Sequence, residues 1–162
     1  MKHKIALIGF GTVGQGIAEI LLKKKEYLKD NFKFDYDLVA VADFFYGNCY
    51  NPKGLDTTYL LKTAKAKKKF SKDLSTKDNL SLIKSCNADI VCELTYTDLK
   101  TSGPALSHVK AALSSKKHVI TSNKGPAALK YQEFSKLAKR NGVKFMIEGT
   151  VVSGTPVINL SK

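Results

Sequence analysis

The sequence predicts an α/β protein built on a doubly wound, mostly parallel sheet, and three observations predict it. Short apolar runs alternate with longer stretches of helical period, as strands and crossover helices do in a parallel sheet. The first run leads straight into a glycine-rich turn at residues 9–14. Later strand ends carry clusters of polar residues, at the edge where open parallel sheets place their ligands. With 162 residues the chain suffices for one domain and one core, because a domain of this size buries about 70% of the surface its unfolded chain exposes.

Residues 4–8 form the first strand, after which Val13, Ile17, Ile20 and Leu21 recur at helical spacing until the solvated Lys23, Lys24 and Lys25. Residues 38–42 make the second strand, which ends at Asp43. A polar, turn-rich loop over 46–54 leads to a helix over 56–68, and a short helix follows at 78–84. The third apolar strand is 89–94. Pro104 stands where a first helical turn accepts proline, and Leu106, Val109 and Leu113 mark the apolar face behind it. Residues 118–121 are the next strand. Tyr131, Phe134 and Ala138 then mark a helix that Asn141 and Gly142 stop. Residues 143–147 follow as a strand before a loop over 149–156 and a last apolar stretch of Val157, Ile158 and Leu160.

Composition removes several classes of function. An apolar share of 43% against 25% charged residues is that of a globular chain, not a disordered or fibrous one. No apolar run reaches the roughly 18 residues of a membrane span, so no membrane partner is expected. Cys49, Cys86 and Cys92 are odd in number and form no CxxC pair, while His3, His108 and His118 do not cluster, which argues against a disulfide framework or a zinc site. The N-terminus lacks the long apolar core of a signal peptide, and a cytoplasmic location is expected. The formal net charge of +13 raises nucleic acid or another polyanion as a partner, with Lys65, Lys67, Lys68 and Lys69 as the densest basic cluster. No helix-turn-helix, RNA-binding aromatic pair or zinc-finger spacing accompanies it. A solvated lysine-rich face is the preferred reading of that cluster.

Between the first strand and the first helix stands Gly9-Phe10-Gly11-Thr12-Val13-Gly14, a GxGxxG in the position where it has physical meaning. The first glycine allows a tight turn, the second lets backbone approach a pyrophosphate, and the third permits close packing of helix on strand. Amides at the helix N-terminus then favour the phosphate charge. The motif predicts a Rossmann-type fold that binds a dinucleotide. Asp43 ends the second strand 29 residues after Gly14, farther than the usual spacing of about 20, because 23–36 extend the helix and its connection. As the acidic partner of the adenosine ribose it favours NAD over NADP by repelling a 2′-phosphate, while Lys53 and the basic surface leave NADP open. As a structural residue it merely ends a strand.

Four stretches taken in order, GFGTVGQG (9–16), ELTYTDLKTSGPALSHVKAAL (93–113), KHVITSNKGPAAL (117–129) and FMIEGTVVSGTPVINL (145–160), closely resemble the homoserine dehydrogenases. The resemblance implies a nicotinamide-dependent interconversion of aspartate 4-semialdehyde and homoserine, on the way to threonine and methionine. It implies that Phe10, Gly11, Thr12 and Val13 line the pyrophosphate and ribose, that Thr95 and Thr97 meet the nicotinamide end, and that Lys124 is the lysine beside nicotinamide and substrate. A cation there can orient the cofactor and polarise a developing alkoxide. It also implies a monovalent-cation (Na+) site made by Glu148 and the backbone carbonyls of Val151, Ser153 and Thr155. Ser153 stands where glycine or alanine is more usual, which a carbonyl ligand tolerates.

A six-stranded nucleotide unit consumes the chain to about residue 147. The expected division is an NAD(P)-binding domain over 1–148 and a hinge segment over 149–162 leading to an absent substrate and dimerisation domain. The chain is then the cofactor half of a homodimeric enzyme, nearly inactive by itself. The alternatives are a free-standing nucleotide- or polyanion-binding module without catalysis, or another amino-acid-pathway oxidoreductase such as an aspartate dehydrogenase. The Asn-Lys-Gly-Pro segment argues against the last.

Overall fold

The apolar run at the N-terminus becomes the centre of a six-stranded sheet in the computed structural model, which describes residues 2–71, 78–98 and 101–151. The elements in order are β1 (Lys2–Ile8), α1 (Thr12–Lys23), α2 (Lys25–Phe32), β2 (Asp35–Asp43), β3 (Gly47–Tyr50), α3 (Thr57–Lys65), α4 (Asn79–Ser85), β4 (Ile90–Glu93), α5 (Ala105–Ser114), β5 (His118–Thr121), α6 (Lys124–Arg140) and β6 (Phe145–Met146). The strands lie in the order β3-β2-β1-β4-β5-β6. All neighbours are parallel except β2 and β3. The chain thus winds outward from β1 in both directions, and the crevice between the two halves opens at the C-terminal ends of β1 and β4.

Burial on both faces explains why β1 and β2 read as continuous apolar runs. Ile5 and Leu7 of β1 join Leu38, Val41, Ala18 and Leu60 in a core under α1 and α3. Ala6 and Ile8 turn the other way and pack with Leu82, Val109, Leu113 and Phe134 under α4, α5 and α6. Helix ends follow local chemistry. The Asp56 carboxylate accepts the Tyr59 N–H at 3.0 Å to start α3. Asp78 accepts both the N–H and the hydroxyl of Ser81 to start α4, and those bonds hold its carboxyl below the ordinary range. Among the described residues no helix is long and apolar enough to cross a membrane.

Four details depart from the sequence reading. The segment 46–54, expected to be a loop, contains β3, the antiparallel partner of β2. Its hairpin turn is built on Asp43, whose Oδ1 accepts the N–H groups of Phe45 and Tyr46. Second, 23–36 do not extend the first helix: α1 stops at Lys23, and α2 is a separate helix closed by Lys33 in the left-handed region at φ 54°. Third, α6 begins at Lys124, so the Asn-Lys-Gly-Pro segment is the start of a helix, joined to the Tyr131-to-Ala138 stretch across a kink at Lys130. Pro126 sits in the opening turn, where its missing N–H leaves no helical bond unmade. Fourth, the strand expected over 143–147 is only Phe145–Met146. Val157, Ile158 and Leu160 lie outside the described residues.

Lys117 is buried, and its ammonium donates to the carbonyls of Cys86 at 2.6 Å and Ala88 at 3.0 Å, which ties the end of α4 to the entrance of β4. Lys117→Met keeps the stem and removes the donors, so unfolding free energy in urea should fall by roughly 1–3 kcal/mol. An unchanged midpoint would show that these bonds contribute nothing. The three cysteines are free and buried, and burial pushes the Cys49 and Cys92 thiols up to about 12. Native protein at about pH 8 should therefore resist Ellman's reagent at all three positions, with all three appearing in denaturant. Rapid modification of a native thiol would contradict this packing.

Candidate functional site

The turn between β1 and α1 is shaped by what its glycines lack. Gly9 has φ 99°, and a Cβ there would stand 2.7 Å from the carbonyl of Leu94 and 2.8 Å from the Thr95 nitrogen. A Cβ on Gly14 would meet the carbonyl oxygen of Gly9 at 2.3 Å. These two glycines let the turn lie against the exit of β4 and let α1 close onto the turn. Gly11 differs, because a Cβ there would meet nothing within 4 Å. It caps α1 without bringing a side chain to the first amides of the helix. The structure needs glycine at 9 and 14 for its own packing, and has open space at 11.

That space belongs to a cleft of about 450 Å³ lined by Gly9, Gly11, Ala42, Asp43, Phe44, Asn79, Leu94, Thr95, Tyr96 and Pro104. Thr12 and Val13 are exposed on the first turn of α1, beside it. Phe10 lies beneath the turn with its ring buried edge-on against Tyr46 and Phe70, and its N–H donates to Asp43 Oδ2 at 2.7 Å. Asp43 therefore accepts three backbone N–H bonds, from Phe10, Phe45 and Tyr46. It is a hinge pin between the glycine turn and the β2–β3 hairpin as well as a wall of the cleft. Phe44 at the tip of that hairpin is fully exposed.

On the other side of β1, Thr95 and Thr97 leave β4, and Lys124 leaves β5. Thr97 donates its hydroxyl to Asn123 Oδ1 at 3.1 Å, and Asn123 caps α6 by accepting the Gly125 N–H at 3.0 Å. Lys124, first residue of α6, is exposed. Gly125 faces Ser102 so closely that a Cβ would stand 2.5 Å from it, which presses the turn before α5 against the start of α6. The next strand, β6, runs into a turn at Glu148–Thr150 on the same edge, where Gly149 lies against Ser122. Glu148 is half-buried and Val151 exposed; Ser153 and Thr155 lie outside the described residues. Among the described residues no three of His, Cys, Asp and Glu converge on one point, and of the four positions expected to hold a cation only Glu148 and Val151 are among the described residues.

The sequence reading missed Phe44, Asn79 and Pro104 on the cleft wall and the buried pair beneath it, Glu93 and His108. Glu93 ends an apolar strand, and His108 falls on the inward face of α5 between Ala105 and Ala112. A polar residue at a core position of a helix was the available signal.

A doubly wound sheet with a glycine turn at its crevice, an open helix N-terminus and an acidic residue at the end of β2 defines a dinucleotide-binding domain. The family model described as the NAD-binding domain of homoserine dehydrogenase matches residues 9–148. The chain belongs to this family, the homoserine dehydrogenases, and corresponds to its nucleotide-binding part. It is 40% identical to the homoserine dehydrogenase of Methanocaldococcus jannaschii over 98% of this chain and 47% of that protein. It is also 40% identical to the NAD(+)-dependent homoserine dehydrogenase of Pseudomonas canavaninivorans, over 99% and 47% respectively. A hyperthermophilic archaeal homoserine dehydrogenase solved in complex with NADPH superposes with a TM-score of 0.85 at 27% identity, covering 99% of this chain and 48% of that one. The chain spans about half the length of the curated relatives it matches.

The two kinds of glycine separate experimentally. Gly14→Ala should lower the thermal midpoint by several degrees, as an added methyl forces α1 off its turn, whereas Gly11→Ala should leave it within about one degree. Equal effects on melting would contradict the division of roles.

Proposed function

We propose that this chain binds a nicotinamide adenine dinucleotide across the crevice between β1 and β4, as the cofactor half of an enzyme that interconverts aspartate 4-semialdehyde and homoserine. The observation that carries the reading is the open space at Gly11, in front of α1 and inside a cleft walled by Asp43 on one side and Thr95 on the other. The pyrophosphate fits where the helix dipole and free amides favour negative charge. Thr12 and Val13 border it, and Phe10 supports it from below. The adenosine half runs over β2 to Asp43, and the nicotinamide half runs over β4 and β5 to Thr95, Thr97 and Lys124.

The nicotinamide ring, when bound, gives or takes the hydride. The residues of this chain orient that ring and exclude alternatives. Thr95 and Thr97 fix its position through a loop that Asn123 holds. The Lys124 ammonium draws charge onto the carbonyl oxygen of the substrate as it becomes an alkoxide. By the family resemblance, Glu148 with the carbonyls of Val151, Ser153 and Thr155 would hold a Na+ ion where the proposed nucleotide domain, 1–148, gives way to the proposed hinge, 149–162. Oxygen donors of this kind suit a hard monovalent ion. The substrate-binding carboxylates and the surface that pairs two subunits belong to a second domain, for which the relatives, of which this chain covers 47%, have room. The protein works in the cytoplasm, where its three free thiols stay reduced.

NAD is the preferred cofactor. Asp43 is fixed by three N–H donors, so its carboxylate cannot swing away from a 2′-phosphate, and the Pseudomonas canavaninivorans relative is NAD(+)-dependent. Calorimetric titration should give NAD+ an affinity at least about tenfold above that of NADP+. Equal affinities would remove Asp43 as a selector. Gly11→Val should abolish NAD+ binding while the protein keeps its fold, because the branched side chain fills the pyrophosphate space; unchanged affinity would sink the cofactor assignment. In the polypeptide carrying both halves, Lys124→Met should lower kcat for homoserine oxidation by roughly 10² or more, and full retention of kcat would exclude its catalytic role.

A further inference from the structure

Beneath the nicotinamide side of the cleft lies a polar cluster that the proposed reaction does not use. Glu93, the last residue of β4, is completely buried, and His108, Thr121 and Asn123 around it are almost so. A carboxylate in such a place costs several kcal/mol unless donors surround it. Here they do. Oε1 accepts the Thr95 N–H at 3.4 Å and the Thr95 hydroxyl in a short bond, and His108 Nδ1 lies 3.3 Å from it. Oε2 lies 3.4 Å from the Thr121 hydroxyl, which shares its one hydrogen with the nearer Glu93 backbone carbonyl at 3.0 Å.

The cluster continues outward through Asn123. Its amide donates to the carbonyls of Thr95 at 3.1 Å and Tyr96 at 3.0 Å, and its oxygen accepts from Thr97 and Gly125. Both donors and both lone pairs of that amide are thereby used. Thr95 is gripped from two sides, its hydroxyl and N–H by Glu93 and its carbonyl by Asn123. The same Asn123 caps the helix that begins with Lys124. Glu93 and Asn123 thus set the spacing between the Thr95–Thr97 loop and the start of α6, and neither reaches the adenosine side of β1.

We propose that Glu93 and His108 are a positioning pair for the nicotinamide end of the cofactor. Glu93 locks the Thr95 hydroxyl and backbone into the cleft wall, and His108 holds the Glu93 carboxylate in the orientation that does so. This rests on the cofactor reading above and adds to it a selective consequence. The ADP-ribose portion of the ligand is held by the glycine turn, which is bonded to β2 through the Gly9 N–H and the Ala42 carbonyl, and by Asp43, so releasing the Thr95 hydroxyl acts first on the nicotinamide portion.

The test compares the affinities of NADH and ADP-ribose in the wild type and in Glu93→Gln, which keeps the volume and replaces one acceptor by a donor. NADH affinity should fall by about tenfold, with ADP-ribose affinity changed less than about twofold. A merely structural role would weaken both ligands together. Equal losses, or none, overturn the proposal. His108→Gln, which keeps a donor and loses the ring, is read by the same ratio should Glu93→Gln fail to fold: a loss selective for NADH supports the pair, and an unselective loss or no loss overturns it. A wild-type protein that binds neither ligand overturns the cofactor reading and this proposal with it, whereas binding of both ligands with an unselective variant overturns only the positioning role.

Discussion

The arrangement of this molecule depends on how closely the turn after β1 approaches the end of β4. The absent side chain of Gly9 lets the turn rest on the backbone of Leu94 and Thr95, and the absent side chain of Gly14 lets α1 start directly above it. Backbone bonds fix the same junction: Gly9 N–H donates to Ala42 at 2.7 Å and Leu94 N–H to Ile8 at 2.7 Å. With Asp43 gripping the Phe10 N–H, the exits of β1, β2 and β4 form one rigid rim. The cleft is what remains above that rim. It is a product of close packing around it, with Gly11 as the one glycine of the three that its own packing does not require.

The two sides of the rim are built differently. On the β2 side a half-buried aspartate bonds to backbone, while on the β4–β5 side a buried glutamate and a buried asparagine bond to the loop that forms the wall. Low local dielectric makes the second kind of support stiffer and less tolerant of an unmade bond. In the proposed binding mode that support falls under the end of the cofactor whose reacting atom must be placed within a fraction of an ångström.

The sequence carried the fold class and most of the elements because both faces of the central strands are buried, so each strand appears as an unbroken apolar run. The hairpin strand β3 was illegible for the opposite reason. Asn48 and Tyr50 sit at an edge and break no apolar pattern, and only the Asp43 carboxylate reveals the turn. The helical start of α6 was hidden by Gly125 and Pro126, which read as loop residues until Asn123 is seen to cap them. Among the proposed site residues, Gly11 and Asp43 follow from motif position, and Lys124 rests on the family segment that surrounds it. Glu93 and His108 escaped notice because residues 15 apart in sequence meet only across the fold.

In the proposed binding mode one ligand spans the crevice from Asp43 past Gly11 to Thr95 and the start of α6. An amide-resolved NMR titration with NAD+ tests it most directly, because every contact surface reports separately. A ligand in the crevice should shift residues 9–14, 43–45, 94–97 and 122–125, saturating together, with the exposed cluster Lys65 to Lys69 unmoved. Shifts confined to that lysine cluster, or spread over the surface without saturation, would contradict it and leave the positive charge as the whole basis of binding.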